Sequence, residues 1–244
     1  MPETVYAFYA LDRLGAIANF VDPRTDLERM RSILAECEAK LVLTVDLAYP
    51  LLRKASVGTA VERIVLLSPA DSLPPFQRIA YRMKNKAPAP EGGDLRWGAF
   101  IAKGGGTEPQ FAPYEKGRCL AIMHTGGTTG IPKGVMLSDD CFNAVAHGYR
   151  YIDVPFERQH KYFDDLPPFY TYGLSFALHT MLSNGLQVIL YPKFDPYGFP
   201  KMFKKYKPNH FAAGTSHLKS LSLDPLTRNL DLSFLVTAAA GGDK

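Results

Sequence analysis

Short apolar runs that alternate with helix-patterned segments constrain this chain most. Runs of strand type stand at Ile17–Val21, Leu41–Val45 and Ile64–Leu67, and again at Tyr162–Leu166, Gln187–Leu190, His210–Ala213 and Phe234–Ala238. Between the first two, Thr25-Asp-Leu-Glu28 reads as a capping box in which Thr25 and Glu28 satisfy each other's amide hydrogens. Leu27, Met30, Ile33 and Leu34 then recur at helical spacing. Further helices are expected around Gly173–Leu182, with Gly185 near the end, and around Pro196–Lys205. Parallel strands need crossover connections, which helices supply. The expectation is an α/β fold of two stacked, mostly parallel sheets with flanking helices.

A Pro/Gly-rich stretch, Ala87 to Asp94 followed by Gly104-Gly-Gly106 and Pro109 to Pro113, separates the two runs. It divides the chain into a first lobe (1–86), a connection (87–118), a strand–loop–strand segment (119–138) and a second lobe (139–244). The length of 244 residues suits one to two domains at about 150 residues each, with core enough to need no disulfides. Cys37, Cys119 and Cys141 form no CxxC pair and are odd in number, which reads as reduced, intracellular thiols. A net charge of +4, from 28 basic and 24 acidic residues, is too mild to argue for nucleic acid. Lys201, Lys204 and Lys205 share one helical face, with Met202, Phe203 and Tyr206 on the other, which is a solvated helix face. No secretory leader is read at the start. The most apolar stretch, Leu174 to Tyr191, is broken by His179, Asn184 and Gln187, so no membrane span is expected and the cytoplasm is the expected location.

The segment richest in chemistry is Cys119-Leu-Ala-Ile-Met-His-Thr125-Gly-Gly-Thr-Thr-Gly-Ile-Pro-Lys133-Gly-Val-Met-Leu. An apolar strand (Leu120–Met123) enters a loop of three glycines, three threonines and one lysine, and a second short strand (Val135–Leu137) leaves it. Glycine lets backbone amides approach a phosphate with no Cβ in the way. Threonine hydroxyls can donate to phosphate oxygens, and Lys133 is a point charge for a polyanion. Pro132 fixes φ just before that lysine. The loop is not a Walker A motif, because Lys133 follows proline and precedes Gly134-Val135 instead of opening a helix as G-K-[ST].

Thr125-Gly-Gly-Thr-Thr-Gly-Ile-Pro-Lys133 resembles the phosphate-binding signature of the adenylate-forming superfamily, which includes acyl-CoA synthetases, aryl-CoA ligases, luciferases and nonribosomal adenylation domains. Other segments are similar to the family in the same order: Tyr9 to Arg24, the proline–aromatic turn Leu166-Pro-Pro-Phe-Tyr170-Thr-Tyr-Gly173, His210-Phe-Ala-Ala-Gly214-Thr, and Ala240-Gly-Gly-Asp243. The resemblance implies the family's large N-terminal core and attack of a carboxylate on the α-phosphorus of ATP. Acyl-AMP and pyrophosphate result, and in most members CoA then accepts the acyl group. It assigns Thr125, Gly126, Gly127, Thr128, Thr129, Gly130 and Lys133 to the ATP phosphates, Gly241, Gly242 and Asp243 to the adenine, and Tyr170 and Gly214 to the acyl pocket. It also implies magnesium with the nucleotide. The apolar, aromatic pocket segments suit a fatty or aromatic acid.

Some positions keep two readings. Tyr170, where many members carry histidine, either closes the acyl tunnel or packs as a core aromatic, and Gly241-Gly242 is either an adenine rest or a plain turn. Gly126 stands where many relatives have serine. His124 reads as a strand-end histidine before a catalytic base. The other histidines lack metal spacing, and Asp164-Asp165 should point to opposite faces, so no metal site is expected. The family's catalytic acid and lysine, with its small C-terminal domain, are expected beyond Lys244. The chain therefore reads as a fragment, truncated at both ends, that catalyses little alone. The competing readings are a P-loop phosphotransferase, which would need G-K-[ST] and a Walker B acid, and an inactive nucleotide-binding or interaction module that retains the fold.

Overall fold

The computed structural model describes residues 1–85, 87–125, 133–191, 194–228 and 230–241. The first part of the chain runs α1 (Pro2–Leu14), β1 (Ala18–Phe20), α2 (Leu27–Glu36), β2 (Leu41–Val45), α3 (Tyr49–Ala55), β3 (Arg63–Leu67), α4 (Pro75–Lys84), β4 (Leu95–Arg96) and α5 (Trp97–Lys103). The second part opens with β5 (Cys119–His124), β6 (Gly134–Ser138), α6 (Asp139–Gly148) and β7 (Lys161–Asp164). A π-helix (Tyr172–Thr180) then leads into α7 (Met181–Ser183), followed by β8 (Gln187–Leu190) and α8 (Phe199–Tyr206). The chain goes on through β9 (His210–Ala213), α9 (Thr215–Leu223), α10 (Pro225–Arg228) and β10 (Thr237–Ala240). Contacts group these elements into two compact units, residues 1–7 with 21–112 and residues 8–20 with 113–244.

The architecture is α/β and mostly parallel, as the alternation requires, with the strands of the described residues shared among three sheets where two were expected. One is β1-β5-β6, one β2-β3-β4 and one β10-β9-β7-β8. In the first unit, β2 and β3 pair in parallel from Leu41↔Arg63 to Val45↔Leu67. Their core is Met30, Leu34, Tyr49, Leu52, Ile64 and Leu66. Asp94 anchors the return of the Gly-rich turn: its carboxylate accepts from the Tyr49 hydroxyl and the Ile64 amide, each at 2.8 Å. In place of the expected capping box, α2 has a single N-cap one residue later. Asp26, not Thr25, caps α2 and accepts from the Arg29 amide at 3.0 Å. A carboxylate is the better match for the positive end of a helix, and Asp26 stands immediately before the first helical residue.

In the second unit, the four strands β10-β9-β7-β8 are all parallel. Successive residues of β7 face opposite sides. Tyr162 packs with Phe176, Ala177 and Met181 on one face, and Phe163 packs with Phe199, Phe203 and Phe211 on the other. Both faces are therefore buried at β7 and β9, which is why these two strands read as apolar runs without alternation. The lysines of α8 are exposed while Phe199 and Phe203 are buried, as its pattern predicts. The expected Gly173–Leu182 helix takes π geometry over most of its length, and Thr180 Oγ1 donates to Ser175 O at 2.9 Å within it. β1 departs from the first run of strands altogether and pairs with β5, Ala18↔Ala121 through Phe20↔Met123.

Candidate functional site

The Gly/Thr loop is held at both of its ends. β5 and β6 pair antiparallel, with His124 opposite Gly134. One residue beyond that pair, the Thr125 amide donates to Lys133 O at 3.0 Å and the Lys133 amide donates to Thr125 Oγ1 at 3.1 Å. This reciprocal clamp fixes the neck of the loop and leaves both Thr125 and Lys133 exposed. A Cβ on Gly134 would stand 3.0 Å from Ile122 Cγ2, so a side chain there would need Ile122 to give way. His124 Nε2 lies 2.8 Å from Asn19 Oδ1 and ties the strand end to β1. Gly126, Gly127, Thr128, Thr129 and Gly130 lie outside the described residues, as do Gly242 and Asp243.

Three of the remaining expected site residues come from loops at one edge of the four-stranded sheet. Because β7, β9 and β10 are parallel, their carboxyl ends share an edge, where open α/β sheets collect ligands. Tyr170 follows β7, Gly214 follows β9 and Gly241 follows β10. Tyr170 is 50% exposed, so it is not a core aromatic. Its amide donates to Pro167 O at 3.1 Å and its carbonyl accepts from the Leu174 amide at 3.0 Å. Gly173 lets that turn close: a Cβ there would stand 2.3 Å from Pro167 O. Gly214 caps α9 with extended backbone, and a Cβ on Gly241 would meet open space.

Sequence reasoning missed a buried pair at the same edge. Asp165, just after β7, and His217, in the first turns of α9, meet through Nε2 and Oδ2 at 2.8 Å. Their side chains are 2% and 10% exposed. The Phe194 ring lies over His217 with centroids 3.8 Å apart. Asp165 therefore serves His217 and not its neighbour Asp164, whose Oδ1 accepts from the Leu166 amide at 3.0 Å. Burial raises the Asp164 carboxyl to about 7. The signal available in the sequence was positional: both members follow a strand end, although 52 residues apart. Among the described residues no group of three His, Cys, Asp or Glu side chains is placed to hold a metal ion. Among them, too, no helix is long and apolar enough to cross a membrane.

The Gly/Thr loop thus leaves and re-enters an antiparallel strand pair, and the loops that follow β7, β9 and β10 gather at one edge of a separate parallel sheet, where open α/β sheets collect ligands. The sequence matches the AMP-binding enzyme family along residues 1–244, and the chain belongs to that family. It is 28% identical, over 98% of its length, to a long-chain-fatty-acid–CoA ligase of Bacillus subtilis (strain 168), of which it covers 44%. It is 25% identical, over 99% of its length, to a probable 4-coumarate–CoA ligase 1 of Dictyostelium discoideum, of which it covers 43%. Its fold is similar to the crystal structure of an anthranilate CoA ligase in complex with anthranoyl-AMP, with a TM-score of 0.80 at 20% identity, over 98% of this chain and 43% of that one. The chain thus spans less than half the length of these relatives.

Proposed function

We propose that this chain binds ATP and a carboxylic acid for adenylation, giving acyl-AMP and pyrophosphate, and that the whole protein passes the acyl group to CoA. The observation that carries the proposal is the Thr125–Lys133 clamp at the neck of the Gly/Thr loop, in a member of the AMP-binding family. Lys133 and the hydroxyls of Thr125, Thr128 and Thr129 take the phosphates, and the bare backbone of Gly126, Gly127 and Gly130 admits them. The adenine is assigned to Gly241, Gly242 and Asp243, and the acyl group to the neighbourhood of Tyr170 and Gly214. A fatty or aromatic acid suits those neighbours, and the named ligases of fatty and coumaric acids support that class.

The chemistry asked of these residues is positioning and charge balance. The carboxylate oxygen attacks the α-phosphorus and the pyrophosphate leaves with the electron pair of the broken P–O bond. Lys133 offsets the charge that gathers on the leaving group. Magnesium enters the proposal as the counter-ion of the triphosphate, held by phosphate oxygens, and no step is assigned to it. Since the relatives are more than twice as long, the proposal gives this chain the binding half of the reaction and little turnover by itself. Calorimetric titration of ATP tests it. Wild-type chain should bind, and Lys133→Ala should weaken binding by about tenfold or more, the value of one charge-assisted contact. ATP affinity indifferent to Lys133 would overturn the loop assignment. Robust carboxylate-dependent ATP–pyrophosphate exchange by the isolated chain would overturn the low turnover.

A further inference from the structure

Helix α4 is mounted with its polar side toward the protein. Arg78 Nε donates to Ala70 O at 3.1 Å, and its Nη2 donates to Asp71 O at 3.3 Å and Leu73 O at 3.2 Å. Tyr81 and Asn85, three and seven residues on, share that face and are half-buried. The opposite face carries Phe76, Ile79 and Met83, at the spacing of one helical stripe, and they are 89%, 59% and 81% exposed. No residue of α4 is buried. An amphipathic helix normally turns such a stripe inward, so this one is left without a partner among the described residues of its own unit.

The charge around the stripe selects what covers it. At about 100° per residue, Arg82 and Lys84 fall on its two borders. From Ser72 to Pro90 the sequence holds Arg78, Arg82, Lys84 and Lys86 and no acidic residue; Asp71, just before it, lies 3.8 Å from Arg82 in an exposed ion pair that leaves the Arg82 side chain 63% exposed. An apolar stripe with cations on both borders matches a surface that is apolar below and anionic above. A second copy of the same face would oppose like charges, which is unfavourable. We propose that α4 is a peripheral anchor that lays Phe76, Ile79 and Met83 into the headgroup–acyl boundary of an anionic lipid bilayer. This stands apart from the reading of the nucleotide loop, since none of its residues belongs to that site.

Flotation of the 244-residue chain with lipid vesicles tests the proposal. Vesicles of phosphatidylcholine with about 30% phosphatidylserine should carry the chain, and phosphatidylcholine alone should carry much less. The double variant Phe76→Ser/Met83→Ser should bind at least about tenfold more weakly, having lost two of the three inserted side chains. Arg82→Gln and Lys84→Gln should each weaken binding about fivefold, on anionic vesicles only. Because all four side chains are exposed, the variants should keep the wild-type melting curve, which separates lost binding from lost folding. The proposal is overturned if the chain ignores anionic vesicles or if the double variant binds like wild type. It is overturned equally if light scattering finds a dimer that the double variant dissolves, since the face would then belong to a second copy.

Discussion

Replacing Asp164 by asparagine should make the protein more stable at pH 7.5 and leave it nearly unchanged at pH 4. Asp164 is 3% exposed, and burial raises its carboxyl from 3.8 to about 7, with the Leu166 amide opposing and the Asp165 charge adding to the rise. Between those two values the folded protein binds a proton that the unfolded chain has released. Stability from this group is therefore fully present below about pH 4 and is lost as pH rises through 7. At about 1.4 kcal/mol per pH unit, the full window is worth up to roughly 4 kcal/mol. Asparagine keeps the shape and can still accept from the Leu166 amide, but it does not titrate. The assay is urea unfolding of both proteins from pH 4 to 8. The difference, variant minus wild type, should climb with pH by a few kcal/mol and level off near pH 8. Groups common to both proteins cancel in that difference. This includes buried His210, which burial lowers to about 4 and whose contribution is lost as pH falls from 6.5. Parallel curves, with a constant difference across the range, would refute the reasoning.

Four further outcomes follow from the geometry. Gly173→Ala should destabilise by about 1–3 kcal/mol, because its Cβ would overlap Pro167 O. Gly148→Ala, at the end of α6 with open space around it, should instead be neutral or stabilise by up to about 1 kcal/mol; paired thermal melts that move in the same direction would contradict this. Thr125→Val removes the acceptor of the Lys133 amide and should weaken ATP binding about threefold to tenfold while leaving the melting temperature nearly unchanged. Asp165→Ala strands His217 without its buried partner and should cost about 2 kcal/mol or more in chemical denaturation.

Much of the frame was legible in the sequence because it is written in runs of apolar residues. β2, β8 and β9 fall on the expected residues, Leu41–Val45, Gln187–Leu190 and His210–Ala213. A strand of a parallel sheet is written as a short apolar run even where it is mostly half-buried, as β2 and β8 are, and that is a local property. Partner choice is not local. Ala18–Phe20 has the same short apolar signature as its neighbours, yet it pairs with β5, about a hundred residues on, and the strands divide among three sheets. Nothing in three residues distinguishes one parallel partner from another. The loop ends, Thr125 and Lys133, were legible for the opposite reason. Their residue types stand out at one place in the sequence, and the structure adds the clamp in which the Thr125 amide donates to Lys133 O and the Lys133 amide to Thr125 Oγ1.

What stayed hidden has a common cause: side chains whose role is set by a partner far along the chain. Asp165 looked like half of a carboxylate pair with Asp164, but the fold turns it toward His217, while Asp164 is sealed in the interior. Two adjacent aspartates therefore take different fates, one in a buried hydrogen bond and one held near neutrality by desolvation. Helix α4 makes the same point from the surface. Its periodicity is that of a core helix, and only the three carbonyls that receive Arg78 show that it faces the other way. A hydrophobic stripe in a sequence fixes which side of a helix will seek an apolar medium. Whether that medium is the protein's own core depends on which side the rest of the fold can satisfy, and here the polar side is the one it holds.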